Sequence, residues 1–264
     1  MESQTVLLDL DGTLHEHGDP VPGAARAIEE LRRAGHVVRL FTNTDSQPEA
    51  VLVHRIRQLG IPIATGELFT PVTAAQRVLA SAPECRVLVL ADEPVRNELA
   101  RHGRLLSVDE AEPASHVVIG DCRRTLSYRY LDAAFRAVRA GAELLALQRG
   151  RYYRAADGDH LDTGAIVAAV EYAADRPARV LGKPSQDFLR LAAESAGGTA
   201  AGRLWVVGDD RTTDIVMANA GAAISVQVRT GKYADQLENG ALAHAAHVID
   251  SVAELPELLA RCLS

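Results

Sequence analysis

Short apolar runs rich in β-branched residues alternate with stretches whose apolar positions recur at helical spacing along almost the whole chain. That alternation predicts an α/β fold of parallel sheets covered by helices, because each strand, helix, strand crossover returns the chain in the same direction. The first predicted strand covers residues 5–10. A helix over Ala24–Arg33 follows, stopped by Gly35, and then a strand over Val37–Phe41. Helices are expected over residues 48–59, ending at Gly60, and about 72–80, running up to Pro83. The pattern then restarts as a second α/β unit. Its strands are residues 86–91, 116–120 and 143–147, and its helices lie near residues 94–102 and 127–139. From Arg179 onward the chain predicts strands at residues 180–181, 204–207 and 223–226, with helices over residues 186–196, 213–220 and 252–262.

The chain has 264 residues, which at roughly 150 per domain leaves one large domain or two modest ones open. With 47% hydrophobic and 24% charged residues, and no apolar run near the roughly 18 needed to cross a bilayer, membrane-spanning, collagen-like, coiled-coil and disordered classes are set aside. A net charge of −7 without a basic block gives no electrostatic footprint for nucleic acid. The N-terminus lacks a basic region ahead of its first apolar run, so no signal peptide and a cytoplasmic location are expected. Cys85, Cys122 and Cys262 are odd in number and far apart, which predicts reduced thiols rather than a disulfide framework or zinc site. Of 28 basic residues only Lys183 and Lys232 are lysine. In a chain that otherwise writes Arg, a lysine marks a place where a compact ammonium serves better than a planar fork.

In open parallel sheets, ligands bind beyond the carboxyl ends of the strands, so the residues ending each apolar run are the informative ones. The run at Val6 leads into Asp9-Leu10-Asp11-Gly12-Thr13, the run at Val38 into Thr42-Asn43-Thr44, and the run at Trp205 into Gly208-Asp209-Asp210. The short strand before them in the last segment leads into Gly182-Lys183-Pro184. Taken singly, each has a structural reading as a turn or helix cap. Together they bring carboxylates, a hydroxyl and an ammonium to one edge. Extended chain puts Asp9 and Asp11 on one face. With Asp209 beside them, like charges about 4 Å apart would repel by roughly 4 kcal/mol at an effective dielectric of about 20. A divalent cation relieves that, and an all-oxygen donor set suits Mg²⁺. The expected chemistry is attack by the Asp9 carboxylate on phosphorus, with Asp11 as general acid and base. Thr42, Asn43 and Lys183 would hold the phosphoryl group. Asp209 would bind the cation together with Asp9 and Asp11, and Asp214 would be a further ligand or an anchor behind it.

These residues resemble the four ordered motifs of the haloacid dehalogenase superfamily: Asp9-Leu10-Asp11-Gly12-Thr13, Thr42, Lys183, and Gly208-Asp209-Asp210 with Asp214. The resemblance implies a Rossmann-like core, a phosphohydrolase using Mg²⁺, and contact of Asp11 with the metal through its backbone carbonyl. The 140 residues between Thr42 and Lys183 far exceed a loop, and their position resembles an inserted cap of the C2 type found in NagD-like members. The expected layout is core over residues 1–80, cap over residues 81–180 and core again over residues 181–264. Ser127-Tyr128, the stretch from Leu147 to Tyr153, Asp162-Thr163-Gly164 and Thr230-Gly231-Lys232-Tyr233 are similar to the members acting on phospholysine and pyrophosphate. Arg149, Arg151 and Tyr152 are candidates to read a second anionic group on a small phosphorylated substrate, with a solvated hairpin face as the competing reading. Asp162 equally suits a helix N-cap, and His15 and Lys232 are expected at the surface. A homodimer through the cap is the partner the resemblance implies, with no nucleic acid and no membrane. The competing functions are a receiver-like phospho-Asp module without turnover, a phosphomutase and a dehalogenase. The second acid at Asp11 weighs against the last, since halide leaves without a proton.

Overall fold

Val6, Leu7 and Leu8 are fully buried, and a strand apolar on both faces belongs in the middle of a parallel sheet covered on each side. The computed structural model, which describes residues 2–110, 113–155, 157–197 and 202–263, places Thr5–Asp9 there. Strand order is His247–Ile249, Ile224–Val228, Leu204–Gly208, Thr5–Asp9, Val37–Phe41, Leu68–Phe69, with every neighbouring pair parallel. Leu8 faces Val207 on one side and Leu40 on the other, and Asp9 pairs with Phe41. Helix Ala24–Arg33 buries Ala24, Ala27, Ile28 and Leu31, the three-and-four spacing of one helical face. Ile28 and Leu31 join Leu8, Leu40, Trp205, Val207, Val226 and Leu255 in a single apolar cluster.

The chain divides into two units, one of Met1–Thr42, Ala50–Phe69 and Lys183–Ser264, the other of Asn43–Glu49 and Thr70–Gly182. The second unit has its own parallel sheet, in the order Arg179–Val180, Glu143–Ala146, His116–Ile119, Arg86–Leu90, Arg104–Leu105. Helices Tyr128–Arg139 and Thr163–Ala174 cover it, burying Ala133, Ala137, Val138, Val167 and Val170 against Leu88, Val117, Ile119 and Leu144. Helix Pro71–Ala80 groups with this unit and starts with a reciprocal cap: the Thr73 amide donates to Thr70 Oγ1 at 3.1 Å and the Thr70 amide to Thr73 Oγ1 at 2.8 Å. An antiparallel hairpin pairs Tyr152–Ala155 with Gly158–Leu161. Among the described residues no helix is long and apolar enough to cross a membrane.

Four local departures from the sequence reading have physical causes. The first strand stops at Asp9, because Leu10 turns inward and its carbonyl accepts the amides of Leu14 and His15 at 2.9 and 3.1 Å. The helix expected over residues 213–220 begins earlier, as a π-helical turn over Arg211–Ile215 that precedes Val216–Ala220. Asp210 opens it by accepting from the Thr212 amide at 2.8 Å and hydroxyl at 2.6 Å, a side-chain competitor to regular helix bonding. The strand before Lys183, Arg179–Val180, lies in the second sheet rather than the first. Leu68–Phe69, Arg104–Leu105 and His247–Ile249 are strands of two or three residues, too short to show a period of two in sequence.

Candidate active site

The central strand delivers Asp9 to its carboxyl end, buried, and the neighbouring strand Leu204–Gly208 delivers Asp209. The π-helical turn swings Asp214 back toward them, fully buried, where its Oδ2 accepts the Asp210 amide at 3.3 Å. One oxygen from each of Asp9, Asp209 and Asp214 lies within 4.8 Å of the others. Lys183, 6% exposed, donates from Nζ to Asp9 Oδ1 at 2.6 Å and Asp214 Oδ1 at 2.8 Å, with its ammonium 4.6 Å from the centre of the Phe41 ring.

One buried cation among three buried carboxylates leaves a negative excess, and the titration behaviour follows from it. Burial pushes Asp9 up to about 6 against the pull of Lys183, with Asp209 and Asp11 adding to the rise. Burial likewise lifts Asp214 to about 7 and Asp209 to about 6. Lys183 is disfavoured by burial, but Asp214 and Asp9 outweigh that and hold its ammonium charged far above neutral pH. Three carboxylate oxygens a few ångströms apart, each reluctant to ionise alone, form a donor set of the hard, oxygen-only kind that fits a divalent cation such as Mg²⁺.

Asp11 behaves differently from Asp9. Because the strand ends at Asp9, the period of two does not carry through, and the Asp11 side chain is 72% exposed, 3.6 Å from His15 Nε2. Its side chain is not in the three-carboxylate cluster, although its charge still acts on Asp9. Thr42 is buried, with its amide donating to the Phe69 carbonyl at 3.2 Å. Asn43 follows it in sequence but belongs to the second unit, as do Arg149, Arg151 and Tyr152. Arg149 is paired with Glu171 at 2.6 Å. Arg151 and Tyr152 are exposed, and Arg123 stacks on the Tyr153 ring at 4.2 Å. Asp162 caps helix Thr163–Ala174, accepting from the Thr163 amide at 2.8 Å, and also accepts from Gln148 Nε2 at 2.8 Å.

His15 and Lys232 depart from the surface role expected of them. The His15 side chain is only 12% exposed. Lys232 keeps an exposed head, yet its amide donates to Asp209 Oδ2 at 2.8 Å and its ammonium to Asp210 Oδ2 at 2.7 Å. Burial alone would raise Asp210. Lys232, Thr212 and Gln236 outweigh it and hold that carboxyl at about 2. The rarity of lysine in this chain was the signal for Lys232. Asp45 carried none: it is buried in the second unit, accepts from Thr163 Oγ1 at 2.8 Å, and is pushed by burial to about 7.

Residues 6–104 match the family described as haloacid dehalogenase-like hydrolase, and residues 180–255 match a second, related hydrolase description. The chain is 35% identical over 230 residues to human haloacid dehalogenase-like hydrolase domain-containing protein 2, covering 87% of this chain and 85% of that protein. It is 32% identical over 260 residues to human phospholysine phosphohistidine inorganic pyrophosphate phosphatase, covering 96% and 93%. Among solved structures it is similar to a glycerol phosphate phosphatase from Mycobacterium tuberculosis in complex with magnesium, with 27% identity, a TM-score of 0.82, and coverage of 97% of this chain and 77% of that one.

Proposed function

This chain belongs to the haloacid dehalogenase-like hydrolases, and from that premise we propose that it is a Mg²⁺-dependent phosphatase of small phosphorylated substrates, working through an aspartyl phosphate on Asp9. The observation that carries the reading is a buried carboxylate at a strand end, 2.6 Å from a buried ammonium and clustered with two more buried carboxylates. Asp9, Asp209 and Asp214 would hold the cation, with the Asp11 carbonyl, and bound Mg²⁺ would neutralise charge on the phosphoryl oxygens.

In the first half-reaction an Asp9 oxygen attacks phosphorus, the bond to the leaving oxygen breaks, and Asp11 gives that oxygen its proton. In the second, water attacks the phosphoryl group, Asp11 takes the water's proton, and the bond from phosphorus to Asp9 breaks. Inorganic phosphate leaves and Asp9 is restored. Lys183, pinned between Asp9 and Asp214, keeps the nucleophile oriented and offers positive charge to the transferring group. Thr42 supplies a hydroxyl to the same oxygens. The exposure of Asp11 suits a group that must meet a leaving group arriving from solvent. Residues 81–180 would act as the cap, with Arg149, Arg151 and Tyr152 reading the rest of the substrate, and the name of the second human relative favours phospholysine or pyrophosphate among the candidates. Tyr128, Leu161 and Tyr172, exposed on the inserted unit, support a homodimer formed through it.

The test is phosphate release from p-nitrophenyl phosphate, pyrophosphate and phospholysine by folded protein, with Mg²⁺ or with EDTA. Mg²⁺-dependent release is expected from at least one, and its absence from all three would falsify the reading. Asp9→Asn should keep its fold and lose turnover. Retained activity in that variant would move the nucleophile elsewhere.

A further inference from the structure

Two adjacent aspartates end the Leu204–Gly208 strand, and the structure treats them in opposite ways. Asp210 is saturated: Oδ1 accepts from the Thr212 amide and hydroxyl and from Gln236 Nε2, and Oδ2 accepts from Lys232 Nζ. Among the described residues the Asp209 side chain has a single hydrogen-bond partner, the Lys232 amide on Oδ2, and none donates to its Oδ1. One residue, Lys232, thus holds both aspartates, one by its backbone and the other by its side chain.

The segment carrying Lys232 is itself anchored to the first loop. Thr230 Oγ1 donates to the Gly12 carbonyl, and the Gly231 amide donates to Glu16 Oε1 at 3.1 Å. Gly231 sits at φ +61°, and a Cβ there would fall 2.1 Å from Asp209 Oδ2 and 2.7 Å from the Gly12 Cα. A Cβ on Gly12, at φ +82°, would fall 2.3 Å from the same oxygen. The Asp209 carboxylate is therefore gripped between two loops distant in sequence, at a spacing only glycine permits.

We propose that residues 230–232 form a positioning loop that selects Asp209 over Asp210 as the cation ligand, fixing Oδ2 so that Oδ1 faces the site and tying Asp210 into the scaffold. The proposal rests on the metal-dependent reading above. Lys232 is a positioning residue here: it acts through the two aspartates it holds. Coulomb's law alone makes the opposite forecast, because removing an ammonium beside an acidic cluster should tighten cation binding.

That opposition makes the test decisive. Mg²⁺ affinity of wild type, Lys232→Met, Lys232→Arg and Gly231→Ala is measured by titration calorimetry, alongside thermal melts of the metal-free proteins. Positioning groups behind metal ligands typically contribute 10–100-fold in affinity, so Lys232→Met and Gly231→Ala should each raise the Kd for Mg²⁺ by about 10-fold or more, with Lys232→Arg restoring most of it. Unchanged or tighter binding by Lys232→Met, or a lowered melting temperature with unchanged Kd, overturns the proposal. Should Gly231→Ala fail to fold, Lys232→Met decides, with its melt showing that the fold is kept: Asp210 retains its bonds from Thr212 and Gln236 in that variant. Absence of Mg²⁺ binding by wild type is a separate outcome and removes the metal-dependent reading itself.

Discussion

Lys183 shows at the scale of one residue why a compact ammonium was retained in a chain with only two lysines. Its Nζ meets two carboxylates at 2.6 and 2.8 Å in a buried site against the Phe41 ring, whereas a guanidinium spreads its charge over a wider planar fork of five donors in fixed directions. Lys183→Arg should therefore lower kcat on p-nitrophenyl phosphate by roughly 10²–10³-fold, the range for loss of one charge-stabilising donor. Retention of a tenth or more of the wild-type rate would show that charge alone suffices. Arg151 is a different kind of candidate, exposed just ahead of the hairpin, where it would meet a second anionic group. Arg151→Ala should raise KM for pyrophosphate more than for p-nitrophenyl phosphate, and equal effects on both would return the side chain to a merely solvated face. Residue type and position after apolar runs single out Asp9, Lys183 and Asp209, and Asp214 stands out as an acid one turn into the following helix; the structure brings the four side chains together. The separation of Asp9 from Asp11 was not legible, because it depends on where the strand hydrogen bonding stops.

Elements were legible where burial imposed a period and opaque where side chains competed with the backbone. Helix Ala24–Arg33 appears with the expected bounds because four apolar residues at helical spacing face the sheet. The Arg211–Ile215 turn does not follow from its pattern, since Asp210 and Thr212 redirect the backbone and so deliver Asp214 to the site. The start of helix Pro71–Ala80 rests on the reciprocal Thr70 and Thr73 bonds. Thr70→Ala should cost about 1 kcal/mol of unfolding free energy, read from the midpoint of urea denaturation with the slope unchanged. A midpoint within error of wild type would mean that the packing of Val72, Ala75 and Leu79 alone holds this helix.

Across the whole molecule, the cluster of buried carboxylates links stability to pH and to metal. Asp9, Asp209 and Asp214 have folded-state values of about 6 to 7, above the roughly 3.9 of an unfolded aspartate. Between about pH 4 and 7 the folded protein thus holds protons that the unfolded chain has released, and metal-free stability falls as pH rises through that window. Mg²⁺ binds the deprotonated cluster and stabilises the state that binds it. The rise in Tm on adding Mg²⁺ should accordingly be small at pH 5 and large at pH 8, and equal shifts at both would rule out this cluster as the cation site. The sequence by itself determined the α/β class, the order of the longer strands and helices, and the residue types at their ends, because burial periodicity and turn chemistry act over a few neighbours. Only the tertiary structure decided that Asp214 joins Asp9 and Asp209, that Asp11 stands apart, and that a loop some 220 residues further along grips Asp209 against Gly12. Those outcomes depend on hydrogen bonds and close contacts between segments that nothing local in the chain specifies.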